Sequence, residues 1–156
     1  MPRVLTMHQR KTVLATGVFD LLHLGHLRFL EESKRSGGTG SRLVVVVARD
    51  KTVRRRKDKG PVYPEDQRRE LVGALRVVDR AILGHEEFDL LGILKEVKPG
   101  VVCVGYDQRE IGRAVARVIR QQGLPIRVVR IRRFGPIGFN SSTRVKFRVA
   151  KAVWEV

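Results

Sequence analysis

Two histidines three residues apart, His23 and His26, stand in the run Gly17-Val18-Phe19-Asp20-Leu21-Leu22-His23-Leu24-Gly25-His26. Residue types and spacing together make this run a candidate anion site. Gly17 and Gly25 lack a Cβ, so a phosphate chain can approach the backbone closely. Free amides at a helix start carry partial positive charge and donate to phosphate oxygens. Two imidazoles then add donors aimed at a triphosphate, where negative charge grows on the bridging oxygen as pyrophosphate leaves. No covalent intermediate is needed. Taken singly, each histidine has a plainer use, as a cap or a satisfied polar residue. The pair could also ligate zinc, but a protein zinc site wants a third ligand and no convergent one is evident. Ser141-Ser142-Thr143-Arg144, read by itself, is a good helix N-cap.

These residues act together only if the chain folds them to one place, and the order of elements makes that feasible. Residues 12–18 read as a short buried strand, followed by helical spacing from Gly25 until the SGGTGS stretch stops it. The β-branched run Leu43 to Ala48 fits a central parallel strand covered on both faces. Pro64 opens a helix through Leu75, with Glu65 and Asp66 in the first turn where the dipole favours acids. A strand at 81–83, a helix at 88–97, a strand at 101–104, a helix at 110–122 and a strand at 126–131 continue the alternation. A last helix begins at Ser141 or Ser142. Such alternation predicts a parallel α/β sheet with right-handed crossovers and helices on both faces, whose ligands sit at the carboxyl ends of the strands. Both the first turn and Asp107, which follows a strand, fall at that edge. The long irregular stretches are 50–63 and 132–140, and long loops in small domains are often functional.

Composition narrows the class. At 156 residues one domain is expected, with residues 1–11 a flexible or peripheral segment. The longest apolar run, Leu43 to Ala48, is far too short for a bilayer crossing, and the N-terminus lacks an apolar signal region, so a soluble cytoplasmic protein is expected. Cys103 is the single cysteine and reads as a buried free thiol. A net charge of +16 attracts nucleotides and polyanions alike and does not choose between them. Aromatic residues make up 6% of the chain, too few to interleave with the basic residues as base-stacking platforms, which makes a nucleic-acid partner the weaker expectation.

GVFDLLHLGH resembles the G-x-F-D-x-x-H-x-G-H signature of the cytidylyltransferase-like nucleotidyltransferases, and it sits in the strand-turn-helix context that signature requires. The resemblance runs from Val13 to about Val149. Four further segments are similar to the archaeal FAD synthase branch: ARDKTV at 48–53, PEDQRRELV at 64–72, VGYDQ at 104–108 and NSSTRVK at 140–146. It implies a single-domain, Rossmann-like α/β protein with a parallel five-stranded sheet and helices on both faces.

The resemblance also implies roles. His23, His26 and Arg144 are the expected catalytic residues. Thr16, Gly17, Val18, Phe19, Gly25, Arg68, Gly105, Asp107, Asn140, Ser141, Ser142 and Thr143 are the expected nucleotide contacts. The hydroxyls, amides and planar cation of the NSSTR segment suit β- and γ-phosphates. Asp20, Asp50, Lys57 and Lys59 are candidate substrate or phosphate contacts. Related sequences carry Arg-Lys-Pro where this chain reads Lys59-Gly60-Pro61, so Lys57 or Lys59 must supply any cation needed there. That basic loop reads equally as a lid or as a solvated charge run. No protein metal site is expected; Mg²⁺ comes with the nucleotide. The implied reaction transfers AMP from ATP to FMN, and the implied assembly is a homodimer. The alternatives are a cytidylyltransferase for glycerol 3-phosphate or a similar alcohol phosphate, a pantetheine-phosphate adenylyltransferase, or a basic nucleic-acid-binding protein.

Overall fold

Five short strands, apolar at the centre of the sheet and bounded by arginines at its edges, form one parallel sheet: β1 (Thr12–Gly17), β2 (Arg42–Val47), β3 (Arg80–Leu83), β4 (Val101–Val104) and β5 (Arg127–Arg130). The structure is a computed structural model and describes residues 11–154. The N-terminal segment expected to be peripheral therefore lies, up to residue 10, outside the described residues. Strand order is β3-β2-β1-β4-β5, with Val13 in register with Leu43 on one side and Val101 on the other.

Side chains alternate across the pleat and build two cores. Val13, Ala15, Leu43, Val45, Val47, Val101 and Cys103 face Leu30 of α1 (Leu24–Ser36) and Val72 of α3 (Glu65–Gly73). Leu14, Val44, Val46, Val102 and Val104 face the other way, against Ile93 and Leu94 of α4 (Leu90–Val97) and Val115 of α5 (Arg109–Gln121). Burial on both faces is why LVVVV is continuously apolar rather than alternating. Cys103 is fully buried, and burial pushes its thiol up.

The helices depart from expectation in two places, within residues 50–63 and at the start of the helix expected from residue 88. Residues 50–63, read as irregular, contain α2 (Asp50–Arg56). Its sequence DKTVRRR buries only Val53, so it carries no apolar stripe for periodicity to reveal. The final helix, α6 (Ser142–Trp154), starts where expected but buries none of its described side chains, leaving Phe147 and Trp154 exposed. The helix expected from residue 88 begins at Leu90, because Asp89 stays outside as the N-cap and accepts the Gly92 N–H at 2.8 Å. No described helix is long and apolar enough to cross a membrane.

The chain leaves β1 toward β2 on one side, and β4 returns on the other. The carboxyl ends of β1 and β4 therefore form the switch point of the sheet, where a crevice opens.

Candidate active site

The turn after β1 is wound tightly. Phe19 (φ 54°) and Leu21 (φ 48°) are left-handed although neither is glycine, a conformation that costs on the order of 1–3 kcal/mol per residue and persists only where surrounding contacts fix it. Those contacts are visible: the Phe19 ring is buried against His26 and Phe29, at centroid distances of 5.5 and 6.3 Å. Asp20, between the two, is 4% exposed. Its carboxylate accepts the Val62 N–H at 2.8 Å, the Tyr63 N–H at 3.0 Å and Lys146 Nζ at 3.0 Å. Its backbone carbonyl accepts the Ser142 hydroxyl. Burial acts to raise the Asp20 carboxyl, but these donors outweigh it and hold the group below its ordinary value. Asp20 thus ties the first turn to the segment before α3 and to the start of α6. It lines the cleft, where the sequence expected a substrate or phosphate contact, and its carboxylate is occupied there by donors from the chain itself.

His23 caps α1, and its ring stacks on His26 with centroids 3.8 Å apart. The His23 backbone N–H donates to His26 Nδ1 at 3.4 Å. Nδ1 is therefore an acceptor, and the proton of the neutral ring is on Nε2. Burial, then the neighbouring His23, push His26 down to about 3, with Asp20 only partly opposing. Burial and then Arg133 lower His23 as well. His23 Nδ1 is buried with no hydrogen-bond partner among the described residues, an atom left for a ligand to satisfy. No acidic side chain occupies the first turn of α1 to compete for its amides.

The segment from Arg132 to Asn140 closes onto this helix start. A Cβ on Gly25 would come 2.9 Å from the His23 ring and 3.1 Å from the Phe134 carbonyl oxygen, and a Cβ on Gly135 (φ 94°) would come 3.2 Å from the Gly25 amide nitrogen. Buried Asn140 accepts from Arg133 at 2.9 Å and donates to the Gly135 carbonyl at 3.2 Å, which braces the loop. Ser141 Oγ then accepts the Arg144 N–H at 3.2 Å and caps α6.

Between these walls, above the carboxyl ends of the strands, lies a cleft of about 950 Å³. From the first turn, Thr16, Gly17, Val18, Phe19, Asp20, His23, Gly25 and His26 line it. Gly105 and Asp107 line it after β4, as do Asn140, Ser141, Ser142 and Thr143 before and within α6. Lys57 and Lys59 reach it from the segment after α2.

Three expected contacts are placed elsewhere. Arg68 is fully buried, and its guanidinium donates to the carbonyls of Tyr63 (2.9 Å), Val18 (2.5 Å) and Ala48 (2.8 Å) and to Asp50 (2.6 Å). With its donors so committed, it staples the strand ends instead of binding phosphate. Asp50 takes that bond from Arg68, accepts the Glu65 N–H at 3.4 Å, and donates its own N–H to Glu65 at 2.7 Å. It is a reciprocal cap between α2 and α3. Arg144 is exposed and does not line the cleft; Lys146, one turn on from Ser142, does.

Arg132 and Arg133 also line the cleft and were missed. Their signal was position, immediately past a strand at its carboxyl end. Among the described residues no group of three or more His, Cys, Asp or Glu side chains could hold a metal ion.

A parallel sheet whose switch point carries two stacked neutral imidazoles, an open helix start and a second, hydroxyl-rich helix start defines a nucleotide-handling α/β protein. The chain belongs to the cytidylyltransferase-like family, which matches residues 14–148. It is 46% identical over 145 residues to an FAD synthase from Methanopyrus kandleri, covering 93% of this chain and 95% of that protein. It is also 41% identical over 141 residues to an FAD synthase from Aciduliprofundum boonei, covering 90% and 91%. A solved structure of a lipopolysaccharide core biosynthesis protein from Thermoplasma volcanium superposes with a TM-score of 0.70 at 44% identity, over 81% of this chain and 100% of that one. A protein of unknown function from Archaeoglobus fulgidus shares the fold at 20% identity and a TM-score of 0.61, over 78% and 88%.

Proposed function

We propose that this protein is an FAD synthase, transferring AMP from ATP to FMN to give FAD and pyrophosphate. The observation that carries the reading is the meeting of His23, His26 and Ser142 in one cleft, although Ser142 lies more than a hundred residues along the chain from both. The similarity to FAD synthases across nine-tenths of the chain supports the substrate pair.

A phosphate oxygen of FMN attacks the α-phosphorus of ATP in line. The bond from that phosphorus to the bridging oxygen breaks, and pyrophosphate departs with the electron pair. Positioning and electrostatics do the catalytic work. His26, neutral with its proton on Nε2, donates to the oxygen where charge develops, and His23 assists from the helix start. The hydroxyls of Ser141 and Thr143, with the backbone amides of the helix start that Ser142 anchors to Asp20, hold the terminal phosphates, while Lys57, Lys59, Arg133 and Lys146 supply cations around them. Thr16, Gly17, Val18, Phe19, Gly105 and Asp107 contact the nucleoside and α-phosphate end. A divalent cation such as Mg²⁺, held by the phosphate oxygens of the triphosphate, would offset their charge. We place the protein in the cytoplasm. The exposed Phe147 and Trp154 of α6 support pairing with a second copy, which sedimentation would read as a dimer.

The test incubates the protein with Mg²⁺, ATP or CTP, and FMN, glycerol 3-phosphate or phosphopantetheine, then measures pyrophosphate and identifies the product. FAD formed from ATP and FMN alone is the expected result. Turnover only with CTP or only with another acceptor overturns it.

A further inference from the structure

The cleft has two arms. One lies over β4 and β5, where the proposed function puts the nucleoside. The other lies over β2 and β3, where Gly84, Glu87 and Phe88 line it. Its wall is α2 together with the connection from β3 to α4, and side chains of α2 and of Arg49 before it fasten the two together. Arg49 donates to the Gly84 carbonyl at 2.8 Å. Lys51 and Arg55 both hold Glu87, at 2.9 and 3.0 Å. Arg56 sets its guanidinium 4.6 Å from the centroid of the Phe88 ring.

This fastening puts a large aromatic residue at the cleft. Phe88 is half exposed, yet it lines the cleft together with Arg56. The lining also includes apolar side chains, with Leu90 and Ile93 of α4 and Val46 of β2. At about 950 Å³ the cleft is at the top of the roughly 300–1,000 Å³ range of single-ligand pockets. That room suits two substrates meeting end to end across the histidines.

We infer that Phe88, steadied by Arg56, is the platform on which the fused ring system of the acceptor stacks, and that this arm makes the protein selective for a flavin phosphate over a small alcohol phosphate. The inference rests on the proposed function. A fused aromatic ring rewards an aromatic face and an apolar floor, whereas an alcohol phosphate has nothing to place there. Stacking contacts of this kind are lost by truncation to alanine with a penalty of about tenfold or more in affinity.

The experiment compares wild type, Phe88→Ala, Phe88→Tyr and Phe88→Trp. FMN is varied at saturating ATP, then ATP at saturating FMN, with thermal melts to verify folding. Phe88→Ala is expected to raise KM for FMN about tenfold and leave KM for ATP within about twofold, with Phe88→Tyr close to wild type. In Phe88→Trp the stacked indole quenches the fluorescence of bound flavin beyond the wild-type level, a readout independent of turnover. Wild-type turnover with an unchanged KM for FMN in folded Phe88→Ala overturns this inference alone. An unchanged flavin signal in Phe88→Trp does the same. Absence of FAD synthesis by the wild type overturns the proposed function, and this inference with it.

Discussion

The ring of His23 lies on that of His26, 3.8 Å between centroids, while the His23 backbone N–H donates to His26 Nδ1 at 3.4 Å. One contact orders the pair and the other fixes which nitrogen of His26 keeps its proton. A charged imidazolium could not accept that bond, so the geometry and the depressed protonation of His26 agree.

Replacing either ring with alanine removes a donor from the phosphate end of the cleft. Each of His23→Ala and His26→Ala is expected to cut pyrophosphate release by roughly 10²–10³, the usual loss of one preorganised donor to developing charge. Circular dichroism should report an unchanged fold. Turnover at wild-type rates in a folded double variant refutes the assignment.

The same burial makes stability depend on pH. His26 titrates at about 3 in the folded protein, against an ordinary 6.5. Between those values the unfolded chain binds a proton that the folded chain refuses. Stability is therefore fully present above about 6.5 and falls as pH drops through the window, by at most about 1.4 kcal/mol per pH unit. Urea midpoints across this range, compared with His26→Asn, isolate the contribution. Identical slopes for the two proteins contradict it.

Arg68 supplies a contrasting case. Removing its guanidinium leaves the part-buried Asp50 and three carbonyls without this donor, and loss of the buried partner of an ion pair typically costs about 3–5 kcal/mol. Arg68→Met is expected to lower Tm by roughly 10 °C at this chain length. Whatever fraction remains folded should keep a KM for ATP near that of wild type. A large rise in KM with an unchanged Tm would mean that Arg68 touches phosphate after all.

These outcomes follow the line between what was legible in the sequence and what was not. The strands were legible because two-sided burial demands β-branched residues without interruption, as in Leu43 to Val47. The first turn was legible because histidines are scarce, four in the chain, and two of them fall three residues apart. The helix α2 was not, since one buried valine makes no pattern. Nor could sequence rank Arg68, Arg132, Arg133, Arg144 and Lys146, five of thirty-two Lys and Arg residues. Which cation is buried, which faces the cleft and which faces water is settled by strands far away in the chain, as Arg68 illustrates by reaching Val18.

Gly25 tests whether the two ends of the chain must meet as closely as they do. A methyl group there would lie 2.9 Å from the His23 ring and 3.1 Å from the Phe134 carbonyl oxygen. The second neighbour is backbone, held by the Asn140 brace through Gly135, so it yields less readily than a side-chain tip. The ring is the softer neighbour, and moving it breaks the stack on His26. Gly25→Ala should therefore lower kcat more than it lowers stability, with overpacking costing about 1–3 kcal/mol. Gly73→Ala is the control, because its new methyl would meet only Ala81 Cβ at an ordinary 3.5 Å. That variant should match wild type in turnover and in Tm. If Gly25→Ala turns over like Gly73→Ala, close approach at the helix start is dispensable for the reaction.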